Sequence, residues 1–306
     1  MNLRKWGLLL LPAACFGLAG CGLTGGSSDR VIYANYDDRD GFCAQIKDGF
    51  AAKAKADGIE VEFLDAKSDG NMQIDQLNEA IGKGAGAIIL LAADGSSIVK
   101  TIEKANDAGI PIITVNRSVG GGKVLRAYSD DVEAGRMQGE YMAANLPPNA
   151  KIVYLQGDGT QDSAVGRWEG FKAACLDKRP DIQLLSFVDA GWSKAEALKT
   201  MMLWMNMFPE INGVVAGNDE MALGAVAALK GAGRLEGCLI SGVDATPAGL
   251  AAVEAGEMAQ TIKQDAKAQG ESALTLAEGF LKGNPPSGDL AIPFTSITAE
   301  NLAQAK

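Results

Sequence analysis

Short apolar runs recur along this chain, and each one leads into small polar residues that a helix-like segment follows. Seven runs have this form: 31–34, 87–91, 110–115, 152–155, 184–188, 214–217 and 239–243. Continuous apolar runs separated by helices are typical of parallel strands that are buried on both faces of a sheet. Ligands of such open sheets bind outside the carboxyl ends of the strands. The polar residues at the run ends therefore predict a hydrogen-bonding cleft for a polar molecule.

The alternation of strands and helices follows the same plan in both halves of the chain. The first half predicts strands at 31–35, 60–64, 86–91, 111–115 and 124–128, with helices at 42–56, 71–83 and 96–108. The second half predicts strands at 152–156, 183–188, 213–217, 239–243 and 259–263, with helices at 163–177, 193–206, 219–231, 247–255 and 266–282. This pattern predicts an α/β fold with two similar doubly wound parallel-sheet lobes, joined by a multi-strand hinge that closes around a ligand.

The first 20 residues have the features of an export signal. Arg4 and Lys5 precede an apolar stretch that is too short to span a bilayer, and small residues follow it. The exit at 18–21 resembles the bacterial lipobox, which implies that Cys21 is acylated and becomes the first residue of the mature chain. Residues 1–20 are then a lipoprotein signal peptide, and residues 21–29 are a flexible tether. We therefore expect an extracytoplasmic protein that is anchored to the cell membrane by its lipid, in the periplasm or at the cell surface.

The remaining chain is long enough for two lobes with separate cores. We predict an N-terminal lobe of residues 30–129 plus 265–290 and a C-terminal lobe of residues 130–264 plus 291–306. We expect the protein to be a monomer.

Composition and charge exclude several classes of function. The 306 residues include 28 Lys and Arg, 38 Asp and Glu and no histidine, and loss of Arg4 and Lys5 with the signal changes the net charge from −10 to −12. This acidity disfavours nucleic acid as a partner. Without histidine the chain forms neither a Ser-His-Asp triad nor a metal site built on imidazole. The acidic loop at 37–40 fails the EF-hand pattern because Phe42 stands where glycine is needed. We expect no enzymatic activity, no cofactor and no metal.

Three cysteines remain in the mature chain besides Cys21. A disulfide between Cys175 and Cys238 is possible because both lie in the second half, but we expect buried free thiols. The predicted compartment therefore depends on the export signal and not on a disulfide framework.

Several residues at the predicted strand ends have side chains that suit a sugar. Asn218 is a helix cap that also faces the cleft, and Asp244 stays free because Thr246 and Pro247 start the next helix. Trp192 lies in a loop, where packing explains an indole less readily than it does in a helix. A sugar has an apolar C–H face for an aromatic plane and hydroxyl groups for carboxylates, amides and guanidinium groups. These residue types together predict a sugar site.

The whole pattern resembles the periplasmic sugar-binding proteins of ABC importers, in the branch that contains the ribose and the glucose/galactose binders. The resemblance covers residues 30–283 and is strongest at 116–117, 218–224, 242–247 and 261–265. By this resemblance Asp40, Asn116, Asn218, Asp244 and Gln264 are polar ligand contacts. Phe42 and Trp192 are the aromatic planes. Arg117 is the basic residue after the fourth strand, and Asp162 and Arg167 are the acid and the arginine of the 157–168 loop.

Three departures from the family pattern argue against ribose. Ala92, Cys43 and Val165 stand where the ribose binder has asparagine, phenylalanine and arginine. The aromatic pair and Asp244 favour a six-membered ring of the glucose/galactose kind, with a cyclitol such as inositol close behind. The resemblance thus implies a receptor that delivers a monosaccharide to the permease of an ABC importer. Inositol, ribose or another small polyol is the alternative ligand, and a sensor subunit for chemotaxis or signalling is the alternative role.

Overall fold

The computed structural model describes residues 30–305. The predicted signal peptide, the predicted acylation site Cys21 and the predicted tether lie outside these residues. Within them, no helix is long and apolar enough to cross a membrane.

The first sheet is built from the first half of the chain and one late strand. Its six strands are all parallel, in the order β11-β5-β4-β3-β1-β2. The strands are β1 (Val31–Asn35), β2 (Val61–Asp65), β3 (Ala87–Leu90), β4 (Ile112–Val115), β5 (Val124–Tyr128) and β11 (Leu290–Ala291). Its helices are α1 (Gly41–Asp57), α2 (Gly70–Gly82), α3 (Val99–Asp107) and, from the far end of the chain, α9 (Ala266–Leu281).

The second sheet has the same plan. Its order is β12-β10-β9-β8-β6-β7, and only β12 is antiparallel to its neighbour. The strands are β6 (Lys151–Gln156), β7 (Gln183–Asp189), β8 (Gly213–Ala216), β9 (Leu239–Val243), β10 (Gln260–Lys263) and β12 (Thr295–Thr298). The helices are α4 (Asp131–Asn145), α5 (Asp162–Phe171), α6 (Lys194–Met207), α7 (Asp219–Gly231) and α8 (Pro247–Glu254), and a π-helical turn (Lys172–Leu176) follows α5. The predicted fold class is confirmed.

Each sheet is buried on both faces because the side chains of its strands alternate between two cores. In β3, Ile89 packs in a cluster with Phe50 of α1 and Leu274 of α9. Its neighbours Ile88 and Leu90 point the other way, into a cluster formed with α2 and α3. This two-sided burial explains why the strands are continuous apolar runs in the sequence.

The strand order places a ligand site at the same point of each sheet. Without β11 and β12, and with the strands of each sheet numbered along the chain, both sheets have the order 2-1-3-4-5. The second strand is added on one side of the first, and the third strand is added on the other side, so the direction of winding reverses between the first and third strands. Loops at the carboxyl ends of those two strands diverge and leave a crevice between them. The chain passes between the sheets three times, after β5, after β10 and after β11.

Helix α4 is the principal element that the apolar pattern did not predict. It follows Asp130, which caps it, and it packs against α5. Its buried face is made largely of small residues, and a β-carbon at Gly135 would lie 2.0 Å from the carbonyl oxygen of Arg167. Glycines inside a helix weaken the helical signal, whereas here they allow two helix backbones to touch. The short strands β11 and β12 were also missed.

All three cysteines of the described chain are free thiols. Cys43 and Cys175 are buried and Cys238 is half-buried. The structure thus contains no Cys175–Cys238 disulfide.

Candidate functional site

The polar strand ends of the two sheets line a single cavity of about 600 Å³. Nine of the ten residues predicted from the sequence lie in its wall: Asp40, Phe42, Asn116, Arg117, Arg167, Trp192, Asn218, Asp244 and Gln264. The first four come from the first lobe and the other five come from the second. Two larger hollows of about 860 and 1150 Å³ lie at the amino ends of the strands, away from these side chains.

Asp162 is the predicted residue that the structure does not place in this cavity. It lines an adjoining crevice of about 510 Å³, which shares Arg117 and Gln161 with the cavity. Helix α5 begins at Asp162, so the residue that faces the cavity is its cap, Gln161. The signal that could have identified Gln161 is its cap position, because Asp40 and Asn218 are also cap residues at strand ends. Other lining residues that the sequence did not single out include Ser163 and Glu220.

Arg167 is the most extensively paired side chain of the site. Its Nε donates to Asp131 Oδ1 at 2.8 Å, Nη1 donates to the carbonyl oxygen of Gly217 at 2.6 Å, and Nη2 donates to Gln264 Oε1 at 3.2 Å. Its guanidinium carbon lies 5.5 Å from the centre of the Trp192 ring. Burial alone would lower the pKa of Arg167, but the carboxylates of Asp131 and Asp244 outweigh it and raise that pKa. Arg167 therefore stays charged and ties Gln264 of the cavity wall to Asp131 of α4 and to Gly217 at the end of β8.

Asp244 presents a carboxylate to the cavity. Within the described chain its side-chain oxygens accept no hydrogen bond, and Arg167 is the cation that acts on it. Burial raises the pKa of Asp244 well above its ordinary value, and Arg167 opposes that rise. The backbone φ of Asp244 is 112°, a conformation that side-chain-bearing residues rarely adopt. An unpaired carboxylate held in this way is available for ligand hydroxyl groups.

Trp192 forms an aromatic wall because two glycines leave room for it. A β-carbon at Gly157 would lie 2.2 Å from the indole ring, and one at Gly217 would lie 3.2 Å from it. The indole Nε1 donates to Gln161 Oε1 at 3.2 Å, which fixes the ring orientation. Phe42 lines the cavity from the first turn of α1 in the other lobe. The two lobes thus each contribute one aromatic ring.

Two helix caps of the cavity wall, Asp40 and Asn218, combine a capping bond with a position that faces the cavity. Asp40 Oδ1 accepts from the backbone nitrogens of Phe42 and Cys43, both at 2.9 Å, and Oδ2 takes part in neither capping bond. Asn218 Oδ1 accepts from the backbone nitrogen of Met221 at 2.9 Å. Capping and ligand contact are therefore compatible at both positions.

Asn116 and Arg117 are held by neighbours outside the cavity, and Gln264 keeps an unpaired donor. Asn116, with φ of 65°, donates from Nδ2 to Gln269 Oε1 at 3.2 Å. Arg117 lies 3.8 Å from the centre of the Tyr36 ring. Gln264 is buried, and its Nε2 has no hydrogen-bond partner in the described chain. A buried donor without a partner is costly, so a ligand oxygen there would satisfy it.

These features define a class of protein: a two-lobed receptor whose cleft offers aromatic planes, carboxylates and amides to a polyhydroxylated ligand. The family comparison agrees with this class. Residues 31–285 match the periplasmic binding protein domain, and the chain therefore belongs to that family. Its members are solute-binding proteins of importers and not enzymes, and they act outside the cytoplasm.

The relatives cover nearly the whole chain. A xylitol-binding protein of Mycolicibacterium smegmatis is 34% identical over 295 residues, which are 95% of this chain and 84% of that one. The ribose import binding protein of Escherichia coli is 28% identical over 92% of this chain and 94% of its own. A solute-binding protein of Bacillus halodurans with bound myo-inositol has a TM-score of 0.84 and 32% identity, covering 92% of this chain and 98% of its own. The chain is thus a sugar-binding protein of the ABC importer type.

Proposed function

We propose that the cavity captures a neutral polyhydroxylated six-membered ring and that the two lobes close around it. The observation that carries this proposal is the lining of one cavity by residues of both lobes. Phe42 and Trp192 supply apolar planes, Asp40 and Asp244 supply acceptors, and Gln264 supplies an unpaired donor. Hydroxyl groups donate and accept, so a polyol satisfies both kinds of partner at once.

Two ligands of this class remain in competition. The sequence favours a hexopyranose such as galactose or glucose, because of the aromatic pair and Asp244. The solved relative with bound myo-inositol, at 32% identity, favours a cyclitol. The similarity to a xylitol-binding protein, at 34% identity, adds an open-chain polyol, outside the class of six-membered rings, as a third candidate.

We propose that the two lobes move as the bodies predicted from the sequence, residues 30–129 plus 265–290 against residues 130–264 plus 291–306. In support of this division, each sheet has its own core clusters. Three chain crossings would bend together as a hinge. Closure would bury the ligand from both sides, and the closed form would be the one that the permease recognises.

The ligand is identified by isothermal titration of the mature domain, residues 22–306, with myo-inositol, D-galactose, D-glucose, D-ribose and xylitol. We expect micromolar binding, which corresponds to about −8 kcal/mol. Ligand at 100 times its Kd should add about 2.7 kcal/mol of stability. Asp244→Asn should weaken binding by at least ten-fold. Asp69→Asn, which alters the cap of α2 outside the cavity, should leave it unchanged. Equal binding by wild type and Asp244→Asn would reject the site.

The lipid anchor is a separate proposal that rests on the sequence around Cys21. We expect wild-type protein to fractionate with membranes and to incorporate labelled palmitate. Cys21→Ser should abolish both, while ligand affinity should not change. If the serine variant carries no label but still fractionates with membranes, another part of the protein attaches it to the membrane.

A further inference from the structure

Asp219 is a buried acid that the cavity does not use directly. It is the first residue of α7, directly after the ligand-facing Asn218, and its side chain is 0% exposed. It does not line the cavity. An ordinary first-turn acid that only balances the helix dipole lies at the surface. Complete burial therefore requires partners, and the structure supplies them.

The carboxylate of Asp219 accepts hydrogen bonds from two other elements. Its Oδ2 accepts from the backbone nitrogen of Thr246 at 2.8 Å and from Thr246 Oγ1 at 3.2 Å. Its Oδ1 accepts from Thr261 Oγ1 at 2.7 Å. Thr246 caps α8 and Thr261 lies in the middle of β10. One side chain thus joins α7, the turn after β9, and β10.

Each joined element carries a residue of the cavity wall. Asn218 precedes Asp219, Asp244 lies two residues before Thr246, and Gln264 lies three residues after Thr261. The turn with Asp244 needs support, because φ is 112° at Asp244 and 52° at Ala245. The backbone nitrogen of Ala245 also donates to Thr261 Oγ1, at 3.1 Å.

The space around the carboxylate is kept open by glycines. A β-carbon at Gly249 would lie 2.0 Å from Asp219 Oδ2, and one at Gly242 would lie 2.5 Å from Oδ1. Both glycines have ordinary backbone conformations, so the reason for glycine at these positions is close approach and not φ. The turn, the strand and the helix are therefore fitted around this one side chain.

We propose that Asp219 is a positioning residue for ligand binding, which holds the turn of Asp244 in its binding conformation through Thr246 and Thr261. This inference rests on the proposed function, because it requires that Asp244 contacts the ligand. Asp219 itself touches no ligand. Its contribution to affinity passes through Asp244, and this dependence separates a positioning role from general support of the fold.

The test compares Asp219→Ala with Asp219→Asn, using whichever of myo-inositol, D-galactose, D-ribose and xylitol binds the wild type most tightly. Alanine leaves the backbone nitrogen of Thr246 without an acceptor, and we expect roughly ten-fold weaker binding. Asparagine keeps an oxygen for that nitrogen, and its amide can donate to Thr261 Oγ1 where the carboxylate accepted, so affinity should return to within about three-fold of wild type. Thr261→Val removes one of the three bonds to Asp219 together with the bond from the backbone nitrogen of Ala245, and it serves as a second variant if alanine prevents folding.

The decisive measurement is a double-mutant cycle between Asp219→Ala and Asp244→Asn, read as ligand affinity. If Asp219 acts through Asp244, Asp219→Ala should weaken binding less than two-fold once Asp244 is replaced. Thr261→Val should behave in the same way. An equal loss in both backgrounds would overturn the positioning role, as would wild-type affinity of Asp219→Ala. A wild-type affinity of Asp244→Asn, or no binding of any of these four probes or of D-glucose, would instead reject the proposed function.

Discussion

Replacing Arg167 by methionine tests how the cavity wall is assembled. Its side chain is 5% exposed and pairs with Asp131 at 2.8 Å, so solvent screens the pair little. Methionine keeps an extended chain but removes the bonds to Asp131, Gly217 and Gln264. Removing one partner of a buried ion pair costs about 3–5 kcal/mol, because the other charge stays buried without compensation. At about 2–4 °C per kcal/mol for a large domain, the unfolding midpoint should fall by roughly 10 °C.

The assay is thermal unfolding followed by circular dichroism, for the single variant and for Arg167→Met combined with Asp131→Asn. Burial already raises the pKa of Asp131, and Arg167 opposes that rise. The charged form of this carboxylate is therefore destabilised most when the guanidinium is lost. The double variant removes both charges and should recover about half of the lost stability. Ligand affinity should stay low in both variants, because Gln264 and Trp192 lose their neighbour. A single-variant loss below about 1 kcal/mol, or no recovery in the double variant, would refute this account.

Three further predictions concern the aromatic wall and the buried acid. Gly157→Ala should displace the indole of Trp192, lower ligand affinity roughly ten-fold and change tryptophan fluorescence. The control is Gly231→Ala, where the added carbon meets no atom, and it should cause none of these three changes. Trp192→Ala should weaken binding by roughly ten-fold or more; undiminished affinity would count against the stacking role. Burial raises the pKa of Asp219 to about 7, so the folded state holds that proton more tightly than the unfolded state does. As pH rises from 4 to 7, wild type should lose about 3 kcal/mol of unfolding free energy relative to Asp219→Asn in urea unfolding, and parallel pH profiles of the two proteins would contradict this prediction.

The sequence predicts the sheets well because strands buried on both faces leave a plain signal. The strands Val124–Tyr128 and Leu239–Val243 and the helix Asp219–Gly231 begin and end where the pattern places them. Helix α4 was missed because its contact face depends on glycines, which carry no apolar signal of their own. Hydropathy patterns detect burial of large side chains and not the approach of two backbones.

The site was predicted partly from strand ends and partly from the family resemblance. Asn218 and Asp244 follow from their positions after predicted strands. Asp162 was assigned by the resemblance as the acid of the 157–168 loop, whereas the structure places its neighbour Gln161, the cap of α5, in the cavity wall. The contacts of Arg167 and Asp219 join residues that are distant in sequence, and no local pattern encodes them.

The contact of α4 with α5 has a mechanical consequence for opening and closing. A β-carbon at Gly170 would lie 2.0 Å from the carbonyl oxygen of Val132, so no layer of side chains separates the two helices at this point. Close-packed backbone has little room to deform, and the pair therefore rotates as one stiff unit. Because α4 starts directly after the first crossing between the lobes, any rotation there carries the guanidinium of Arg167 with it. In the proposed closure, bending at the crossing would therefore also tighten or loosen the grip on the bound solute.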